Sequence, residues 1–382
     1  MNFSATKFLI QSLEKREMQN ALRRLTVNSD LVDFCSNDYL GFSKSIDLKN
    51  KIQEELNSFS LVSSGSGGSR LLAGNTDYAE KLERKIASFH KVEARLLFNS
   101  GYDANIGLFS ALGQKEDTII YDELIHASVH DGMKLSQASC FLFKHNDLAH
   151  LEERLKIAKG NVFVAIESIY SMDGDYAPLS EIVQLCAQYN ANLIVDEAHA
   201  TGVTENIGKG RVQALGLEKS VFARLHTFGK GLGCHGAIIL GNVVLRNYLI
   251  NYSRAFIYTT ALPMHSLVAI NQAYNLLLVS QNKIDALQEL ICYFKEKICG
   301  IPFLESIDSQ SAIQCIVVSG NDKVKNIAKL LQQDGLDIRP ILSPTVPKGK
   351  ERLRICLHVF NSKEEIDRLA YLLNKHLPTI NS

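Results

Sequence analysis

Residues 222–241 read Phe-Ala-Arg-Leu-His-Thr-Phe-Gly-Lys-Gly-Leu-Gly-Cys-His-Gly-Ala-Ile-Ile-Leu-Gly. Lys230 lies between Gly229 and Gly231, and Thr227 places a hydroxyl three residues before it. Glycines let the backbone turn sharply and let a flat molecule approach closely. The apolar run 237–240 favours withdrawal of the amine from water, and therefore its neutral, nucleophilic form. The segment alone leaves two interpretations open, a lysine that forms a Schiff base or a surface turn that carries a lysine.

The size and composition of the chain limit what surrounds this segment. At 382 residues the chain exceeds the usual size of a single core, so two lobes are expected. Its 41 Lys and Arg balance 41 Asp and Glu, and no basic block appears. A nucleic-acid-binding protein normally shows such a block, so a small-molecule substrate is the better expectation.

The cysteines and the apolar stretches indicate a compartment. The eight cysteines are scattered and form no C-x-x-C pair, which argues against a zinc site or a disulfide framework. Residues 1–25 mix charges throughout and resemble no signal peptide, and no later stretch approaches the length of a membrane span. We therefore expect a cytoplasmic protein with reduced thiols.

Strand and helix patterns alternate through the middle of the chain. Apolar strands are predicted at 94–98, 118–121, 162–166 and 193–195, and helices at 77–90, 103–112 and 179–189. Such alternation predicts a mostly parallel sheet wrapped by helices. Both faces of such a sheet are buried, which explains the continuous apolar runs.

The ends of the chain follow other patterns. Residues 1–25 place apolar side chains at helical spacing and predict a helix packed by one face; these side chains are Phe8, Leu9, Leu13, Met18 and Leu22. From residue 312 onward, strands at 312–318, 337–342 and 352–357 and helices at 322–333 and 363–375 predict a compact α+β lobe. We expect three parts: an arm at 1–45, a large α/β domain at 46–285 and an α+β domain at 286–382.

Polar residues that follow the predicted strands are candidates for a site, because parallel sheets bind ligands at the carboxyl ends of their strands. The segment 100–102 ends one strand and opens a helix, whose free N–H groups suit a phosphate. Asp196 ends another strand, where its carboxylate can keep a ring nitrogen protonated, and His199 follows three residues later. An ordinary strand–helix turn and a structural aspartate that caps a turn remain the alternatives.

Three other motif interpretations fail. The glycine cluster 63–76 has Arg70 where a dinucleotide fingerprint needs its third glycine. The string Asp-Glu-Ala-His at 196–199 imitates a helicase box, but the phosphate loop that a helicase requires is absent. His126 and His130 have metal-ligand spacing, but no nearby acid or cysteine completes a site, so His126 fits better as a stacking group or a buried structural histidine.

Taken in series, these features match pyridoxal phosphate. They supply a phosphate cradle, an acid for the ring nitrogen, an aromatic histidine to stack, the hydroxyl of Thr227 and the amine of Lys230.

At this point the motifs resemble those of the α-oxoamine synthases, fold-type I pyridoxal-phosphate enzymes that condense an amino acid with an acyl thioester and lose carbon dioxide. The resemblance covers nearly the whole chain and rests on six motifs: Ser-Asn-Asp-Tyr-Leu-Gly at 36–41, Gly-Ser-Gly-Gly-Ser-Arg at 65–70, His-Ala-Ser at 126–128, Ser-Met-Asp-Gly-Asp at 171–175, Asp-Glu-Ala-His at 196–199 and Thr-Phe-Gly-Lys at 227–230. Within the family the chain is most similar to the biotin-pathway member, which uses L-alanine and a pimeloyl thioester. That similarity rests on residues 145–147, 171–175, the Pro-Thr-Val-Pro loop at 344–347 and Arg-Leu-Arg at 352–354.

The resemblance implies roles for individual residues. Lys230 would bind the cofactor covalently and move the substrate α-proton, Asp196 would hold the ring nitrogen protonated, and His126 would stack on the ring. The other implied cofactor contacts are Ser171 and His199 at the ring hydroxyl, Gly101, Tyr102 and Thr227 at the phosphate, and Thr259 or Thr260 at the phosphate of a partner subunit. Arg354 would bind the amino-acid carboxylate, and the implied substrate path includes Arg23, Asn37 and Thr345. The family also implies a homodimer, with the acyl group carried by coenzyme A or by an acyl carrier protein.

Two departures and two rival functions remain. Tyr102 replaces an expected phenylalanine, and the pair Cys234 and His235 replaces a small or apolar residue followed by serine. Sister enzymes join glycine to an acetyl thioester or serine to a long acyl thioester. A non-catalytic protein that kept the fold is expected to lose Lys230, Asp196 or Arg354, and all three are present.

Overall fold

The computed structural model describes residues 4–25, 27, 30–60 and 63–378. The ends of the predicted arm and of the predicted C-terminal domain, residues 1–3 and 379–382, lie outside the described residues, as do residues 26, 28 and 29. The helices are α1 (Ser4–Met18), α2 (Ile46–Asn57), α3 (Asp77–Phe89), α4 (Gly101–Leu112), α5 (Ala127–Leu135), α6 (Leu148–Ile157), α7 (Leu179–Gln188), α8 (Glu205–Gly208), α9 (Arg211–Ala214), α10 (Val243–Tyr252), α11 (Arg254–Ile257), α12 (Met264–Leu277), α13 (Gln281–Ile298), α14 (Asn321–Gln333) and α15 (Lys363–His376).

The strands are β1 (Val32–Asp33), β2 (Ala94–Phe98), β3 (Thr118–Asp122), β4 (Ser139–Phe143), β5 (Val162–Glu167), β6 (Asn192–Asp196), β7 (Ala223–Thr227), β8 (Ala237–Gly241), β9 (Glu305–Ser306), β10 (Ile313–Val317), β11 (Leu336–Asp337), β12 (Arg339–Ile341) and β13 (Arg352–Cys356). The chain divides into two compact units. One comprises residues 37–171 and 176–287, and the other comprises residues 1–36, 172–175 and 288–382.

The larger unit is built on a seven-stranded sheet. Its strand order is β2-β8-β7-β6-β5-β3-β4, with β8 antiparallel to both neighbours. The pairings from β7 to β4 are all parallel, which confirms the predicted mostly parallel α/β sheet. Two buried apolar clusters cover its two faces, one around Phe109 and Ile194 and the other around Val164 and Val195.

Side-chain caps fix where several helices begin. Thr76 accepts a hydrogen bond from the N–H of Ala79 ahead of α3, and Ser100 accepts one from Asp103 ahead of α4. These bonds satisfy N–H groups that a helix leaves unpaired at its start. As a result α4 begins at Gly101 rather than at the predicted residue 103.

The smaller unit contains an antiparallel sheet in the order β12-β13-β10-β9 and a separate parallel pair, β1 with β11. The predicted strand at 337–342 is divided between β11 and β12. Residues 172–175 join this unit because Cys315 Sγ lies 3.0 Å from the carbonyl oxygen of Met172, and Ser309 Oγ donates to the carbonyl of Gly174 at 2.8 Å. The structure thus groups the first 36 residues with the C-terminal lobe, whereas the sequence predicted a separate arm at 1–45.

One expectation for the N-terminus is wrong for the single chain. Helix α1 forms, but it buries none of its residues, and Phe8 and Met18 are 67% and 81% exposed. A periodic pattern identifies the apolar side of a helix without identifying what covers it. Among the described helices, none combines the length and the apolar character needed to cross a membrane.

Candidate active site

The candidate site lies at the carboxyl ends of the central strands in the larger unit. A cleft of about 260 Å³ opens there, close to the lower end of the range of small-molecule sites. Asp196 ends β6 and stands directly opposite Glu167, which ends β5. The cleft is lined by seven of the predicted site residues: Asn37, Gly101, Tyr102, His126, Asp196, Thr227 and Lys230.

Lys230 belongs to a chain of hydrogen bonds. Its Nζ lies 2.7 Å from Nε2 of His199, whose Nδ1 lies 2.8 Å from the hydroxyl of Tyr39. Tyr39 donates its proton to Oδ1 of Asn37 at 3.1 Å, so its oxygen accepts from Nδ1 of His199. This leaves Nε2 of His199 as an acceptor for the Lys230 amine. The buried histidine therefore orients the amine at the cleft.

The Asp196 carboxylate makes two different contacts. Oδ1 accepts a hydrogen bond from the N–H of Ala198 at 2.9 Å, which is the turn-capping role left open by the sequence. Oδ2 accepts one from Nδ2 of Asn105 at 2.8 Å. The carboxylate is 7% exposed and borders the cleft. The capping role and a role toward a ligand are therefore compatible.

Asn105 links Asp196 to His126. Its second N–H donates to Oγ of Ser128 at 2.9 Å, and Ser128 Oγ lies 2.7 Å from Nδ1 of His126. Since Ser128 Oγ accepts from Asn105, its own proton points to Nδ1, which also accepts from the Ser128 N–H. His126 thus presents an unprotonated Nδ1. Burial, with the nearby charge of Lys230, lowers the pKa of His126 and favours the same neutral ring.

Glu167 is a buried acid at the same edge. It is 2% exposed and lines the cleft. Burial, reinforced by the charge of Asp196, raises the pKa of Glu167 well above its ordinary value. Two neighbouring carboxyl groups in a water-poor site do not both ionise readily. Glu167 therefore favours its protonated, neutral form.

The start of α4 forms one wall of the cleft. Gly101 packs so closely that an added Cβ would lie 2.5 Å from Cγ2 of Thr227. The first intrahelical bond runs from Ala104 N to Ser100 O, and Asp103 N bonds to Ser100 Oγ. The N–H groups of Gly101 and Tyr102 precede both bonds. Helix N-termini of this kind bind phosphate groups.

These residues fit pyridoxal phosphate. Gly101 leaves room where a Cβ would fill the wall, and the start of α4 packs against the Cγ2 methyl of Thr227, which also lines the cleft. A buried carboxylate is available for the ring nitrogen, a neutral imidazole for the ring face and an oriented amine for the carbonyl carbon. This set of groups matches the cofactor that the sequence predicted.

The remaining predicted residues of this unit lie around the cleft rather than in its lining. Ser171 is buried four residues after β5 ends. Nδ2 of Asn99 donates to Thr259 Oγ1 and to the Thr260 carbonyl, both at 2.8 Å. Thr260 is exposed, and Thr259 lines a smaller pocket with Arg70.

Three predicted substrate residues belong to the smaller unit. Arg23 Nη2 donates to Thr345 Oγ1 at 3.2 Å, so the structure brings these two together. Arg354 lies on β13, directly opposite Arg339 on β12 and Cys315 on β10. Their assigned contacts with substrate remain predictions.

Cys234 and His235, which replace a small or apolar residue followed by serine, lie in different environments. Burial, with a contribution from Asp38, raises the pKa of the Cys234 thiol to about 12, so the thiol is protonated at neutral pH. His235 is exposed and borders the cleft. The substitution therefore places a second imidazole at the cleft without adding a thiolate nucleophile.

Sequence reasoning missed Asn105, Glu167 and the individual role of Tyr39. Asn105 lies four residues after Gly101, and residues at that spacing share a helix face, so its position carried a signal. Glu167 ends a strand as Asp196 does, but only the pairing of β5 with β6 reveals that the two acids are neighbours.

The chain is similar to known proteins in sequence and in fold. The chain matches the family described as aminotransferase class I and II over residues 29–373. It is 44% identical to an 8-amino-7-oxononanoate synthase of Emericella nidulans, covering 94% of this chain and 93% of the relative. It is 38% identical to the aminoacyl transferase sphA of Aspergillus fumigatus, covering 90% and 80%. The crystal structure of 8-amino-7-oxononanoate synthase from Francisella tularensis superimposes with a TM-score of 0.79 at 28% identity, covering 93% of this chain and all of that one.

Proposed function

The chain belongs to the aminotransferase class I and II family, and from this premise we propose that it catalyses the decarboxylative condensation of L-alanine with a pimeloyl thioester. The products are 8-amino-7-oxononanoate, carbon dioxide and the free thiol, a step in biotin biosynthesis. The observation that carries this proposal is the 44% identity over nearly the whole chain to a relative of that name. The family depends on pyridoxal phosphate, and this enzyme is a transferase of that class.

Pyridoxal phosphate, when bound, supplies a carbonyl for the amino acid and an electron sink for the charge left on the α-carbon. We assign the covalent attachment and the movement of the α-proton to Lys230, whose amine contacts Nε2 of His199. Asp196 stabilises a positive charge at the ring nitrogen because an adjacent carboxylate favours the protonated form. Asn105 keeps that carboxylate oriented.

The other assigned roles concern binding. His126 covers the ring face as a neutral imidazole, and His199 and Ser171 serve the ring hydroxyl. Gly101, Tyr102 and Thr227 hold the phosphate. We assign the alanine carboxylate to Arg354, because a guanidinium matches a carboxylate with two parallel hydrogen bonds, and the substrate path to Arg23, Asn37 and Thr345.

We also propose that the enzyme is a homodimer in which Thr259 or Thr260 reaches the phosphate of the partner. The exposed apolar side chains of α1 support an additional contact surface. The acyl group is expected to arrive on coenzyme A or on an acyl carrier protein. None of the eight cysteines forms a disulfide bond, which favours the reducing cytoplasm as the compartment.

The test is turnover by the purified, cofactor-loaded protein. With L-alanine and a pimeloyl thioester, we expect equal release of carbon dioxide and free thiol. Turnover only with glycine and an acetyl thioester, or only with serine and a long acyl thioester, would show that the protein has the activity of a sister enzyme instead. Because Lys230 is assigned the proton transfer, Lys230→Ala is expected to lower kcat by at least about 10³-fold.

A matched variant controls for the loss of one lysine. Lys219→Ala removes an exposed lysine elsewhere in the same unit, and its kcat is expected to stay within about twofold of wild type, since exposed changes of this kind are usually small. Circular dichroism of both variants checks the fold. Substantial steady-state turnover by a well-folded Lys230→Ala variant would refute the assigned chemistry.

A further inference from the structure

His235 borders the candidate active site and has no role in the assigned chemistry. It is exposed and lines the same cleft as Lys230. Among the described residues of that lining the basic side chains are Lys230, His126 and His235, and the first two already have assigned roles. An imidazole reaches farther than the serine hydroxyl expected at this position, and it can carry a positive charge near neutral pH. His235 is therefore the basic group of the cleft whose ligand is to be identified.

The backbone of His235 is fixed beside the end of β7. The N–H of Cys234 donates to the carbonyl of Phe228 at 2.7 Å, and the N–H of Phe228 donates to the carbonyl of Gly236 at 2.9 Å. Both neighbours of His235 are therefore bonded to Phe228. Since Phe228 directly follows Thr227, these bonds hold His235 close to the threonine that is assigned to the cofactor phosphate.

The start of α4 approaches position 235 from the other side. Strands β2 and β8 are antiparallel, with Phe98 opposite Ala237 at the end of their ladder. The segment 99–101, which leads into α4, therefore runs beside the segment that precedes β8. A Cβ on Gly236 would lie 3.2 Å from the carbonyl oxygen of Phe98, which shows how closely the two segments pack. His235 thus lies between the end of β7 and the start of α4, the two elements that form the assigned phosphate site.

The assigned phosphate site lacks a cationic side chain of its own. Gly101, Tyr102 and Thr227 offer N–H groups and hydroxyls, and the hydroxyl of Tyr102 already donates to the carboxylate of Asp131. A phosphate monoester carries about −1.5 to −2 charges near neutral pH. An imidazole N–H directed at this anion adds a charge-assisted hydrogen bond, which is stronger than a neutral one. The position of His235 and the charge of the phosphate are therefore complementary.

We propose that the imidazole of His235 binds the phosphate of pyridoxal phosphate, as a cofactor contact in addition to those assigned above. The inference rests on the proposed function, because it takes the phosphate to lie at the start of α4. One ring nitrogen of His235 donates to a phosphate oxygen, and the phosphate charge in turn favours the protonated ring. The chain thereby gains a cationic phosphate ligand at a position where the family resemblance predicts a serine.

The test compares two forms of the cofactor that differ only in the phosphate. The apoenzyme is titrated with pyridoxal phosphate and with pyridoxal, and binding is followed by fluorescence. In His235→Ser, we expect the affinity for pyridoxal phosphate to fall at least about fivefold, because a hydrogen bond to a charged group is lost. The affinity for pyridoxal should stay within about twofold of wild type, since pyridoxal has no phosphate to lose a contact.

Two further readouts need no turnover. Inorganic phosphate should compete with pyridoxal phosphate for the apoenzyme at least about fivefold less strongly in His235→Ser than in wild type. The phosphorus NMR signal of the bound cofactor should also shift in this variant, because the signal reports the groups around the phosphate. The matched control is His265→Ser, which removes an exposed imidazole on α12. Its affinities for both forms of the cofactor should stay within about twofold of wild type.

The outcomes separate this proposal from the proposed function. If His235→Ser binds both forms as wild type does, or loses affinity for both equally, the phosphate contact is refuted while the condensation stands. If the KM for the pimeloyl thioester rises and both cofactor affinities are unchanged, His235 serves the substrate and the proposal is overturned. If the affinity for pyridoxal phosphate alone falls but no pimeloyl thioester is turned over by wild type, the phosphate contact is supported and the proposed function fails.

Discussion

Asn105 shows how a residue without its own chemistry can fix the state of two others. Its side-chain amide donates two hydrogen bonds within the larger unit, one to Asp196 and one to Ser128. The first bond holds the carboxylate assigned to the ring nitrogen. The second directs the Ser128 proton to Nδ1 of His126. We infer that Asn105 positions the acid and the stacking imidazole at once.

Replacing Asn105 by leucine tests this role. The variant removes the donor to Oδ2 of Asp196 and to Oγ of Ser128 in a buried site, and an unsatisfied buried group costs about 1–3 kcal/mol. We therefore expect Asn105→Leu to weaken cofactor binding by at least about tenfold. The measurement is a fluorescence titration of the apoenzyme with pyridoxal phosphate between pH 6 and pH 8.

The pH dependence of cofactor affinity distinguishes this role from a non-specific destabilisation of the site, which would lower the affinity equally at every pH. The hydrogen bonds from Asn105 through Ser128 to His126, together with burial, keep the His126 ring neutral. The affinity of the wild-type enzyme for pyridoxal phosphate should therefore not change with pH above the lowered pKa of His126. In the variant, this affinity should fall further as the pH falls. Asn251→Leu makes the same change at an exposed position of α10 and should bind as wild type does. If Asn105→Leu binds pyridoxal phosphate as tightly as wild type does at every pH, the proposed positioning role of Asn105 is disproved.

Site residues could be predicted from the sequence where their immediate sequence neighbours indicate their role. They could not be predicted where their partners depend on the pairing of strands and the packing of helices. Lys230, Asp196 and His126 were predicted because each follows a strand or lies between glycines. Glu167 also follows a strand, but the sequence does not say that β5 lies beside β6 with the two acids paired. The role of Asn105 depends on the face of α4 that it occupies and on the approach of that face to Asp196 at the end of β6.

At the scale of an element, the beginning of α4 decides whether the cleft can hold a phosphate. Ser100 caps the helix through the N–H of Asp103, which leaves the two N–H groups before it directed out of the helix. The backbone at Gly101 lies against Thr227, with space for no side chain. The start of α4, Gly101 and the methyl of Thr227 therefore pack as one unit of structure.

Gly101→Ala tests that unit. The added Cβ would meet Cγ2 of Thr227 at 2.5 Å, so the start of α4 must move away from the end of β7. We expect cofactor affinity to fall at least about tenfold, because phosphate contacts depend on short, directed hydrogen bonds. Affinity is measured by titration of the apoenzyme, and circular dichroism reports helix content.

A second glycine supplies the control. A Cβ at Gly65 would meet nothing within 4 Å, so Gly65→Ala should bind pyridoxal phosphate like wild type. Retained helix content with lost affinity in Gly101→Ala would place the effect at the phosphate. Unchanged affinity would mean that the phosphate lies elsewhere.

The predicted elements agree with the structure where the pattern was strong and local. Strand β2 has the predicted bounds, and β5, β6 and α7 differ by a residue or so. The sequence predicted no element at β4, the edge strand, whose side chains are mostly exposed or half-buried. Residues 140–143 are all apolar, but most of these side chains stay exposed or half-buried because an edge strand has a neighbour on one side alone.

At the scale of the whole molecule, the exposed side of α1 is the feature that a single chain leaves unexplained. Leu9 and Leu13 lie four residues apart on this helix and are 57% and 55% exposed. A contiguous exposed apolar patch commonly marks an interaction surface. Sequence periodicity predicted a helix packed by one face, and the single chain supplies no packing partner for that face. A second copy of the chain is the partner that we propose.

This proposal predicts a change in oligomeric state. Leu9→Glu/Leu13→Glu places two charges in the proposed interface, where each buried leucine is worth about 1.5–3 kcal/mol. Sedimentation velocity should show a dimer for wild type and a dimer dissociation constant raised at least about tenfold in the variant. Ile46→Glu/Leu215→Glu makes the same chemical change at exposed positions off α1 and should remain dimeric.

If Thr259 or Thr260 serves the partner's phosphate, cofactor affinity should fall together with dimerisation as the protein is diluted. A variant that sediments as wild type does would show that α1 lies outside the interface, and a monomeric wild-type enzyme would refute the shared site itself.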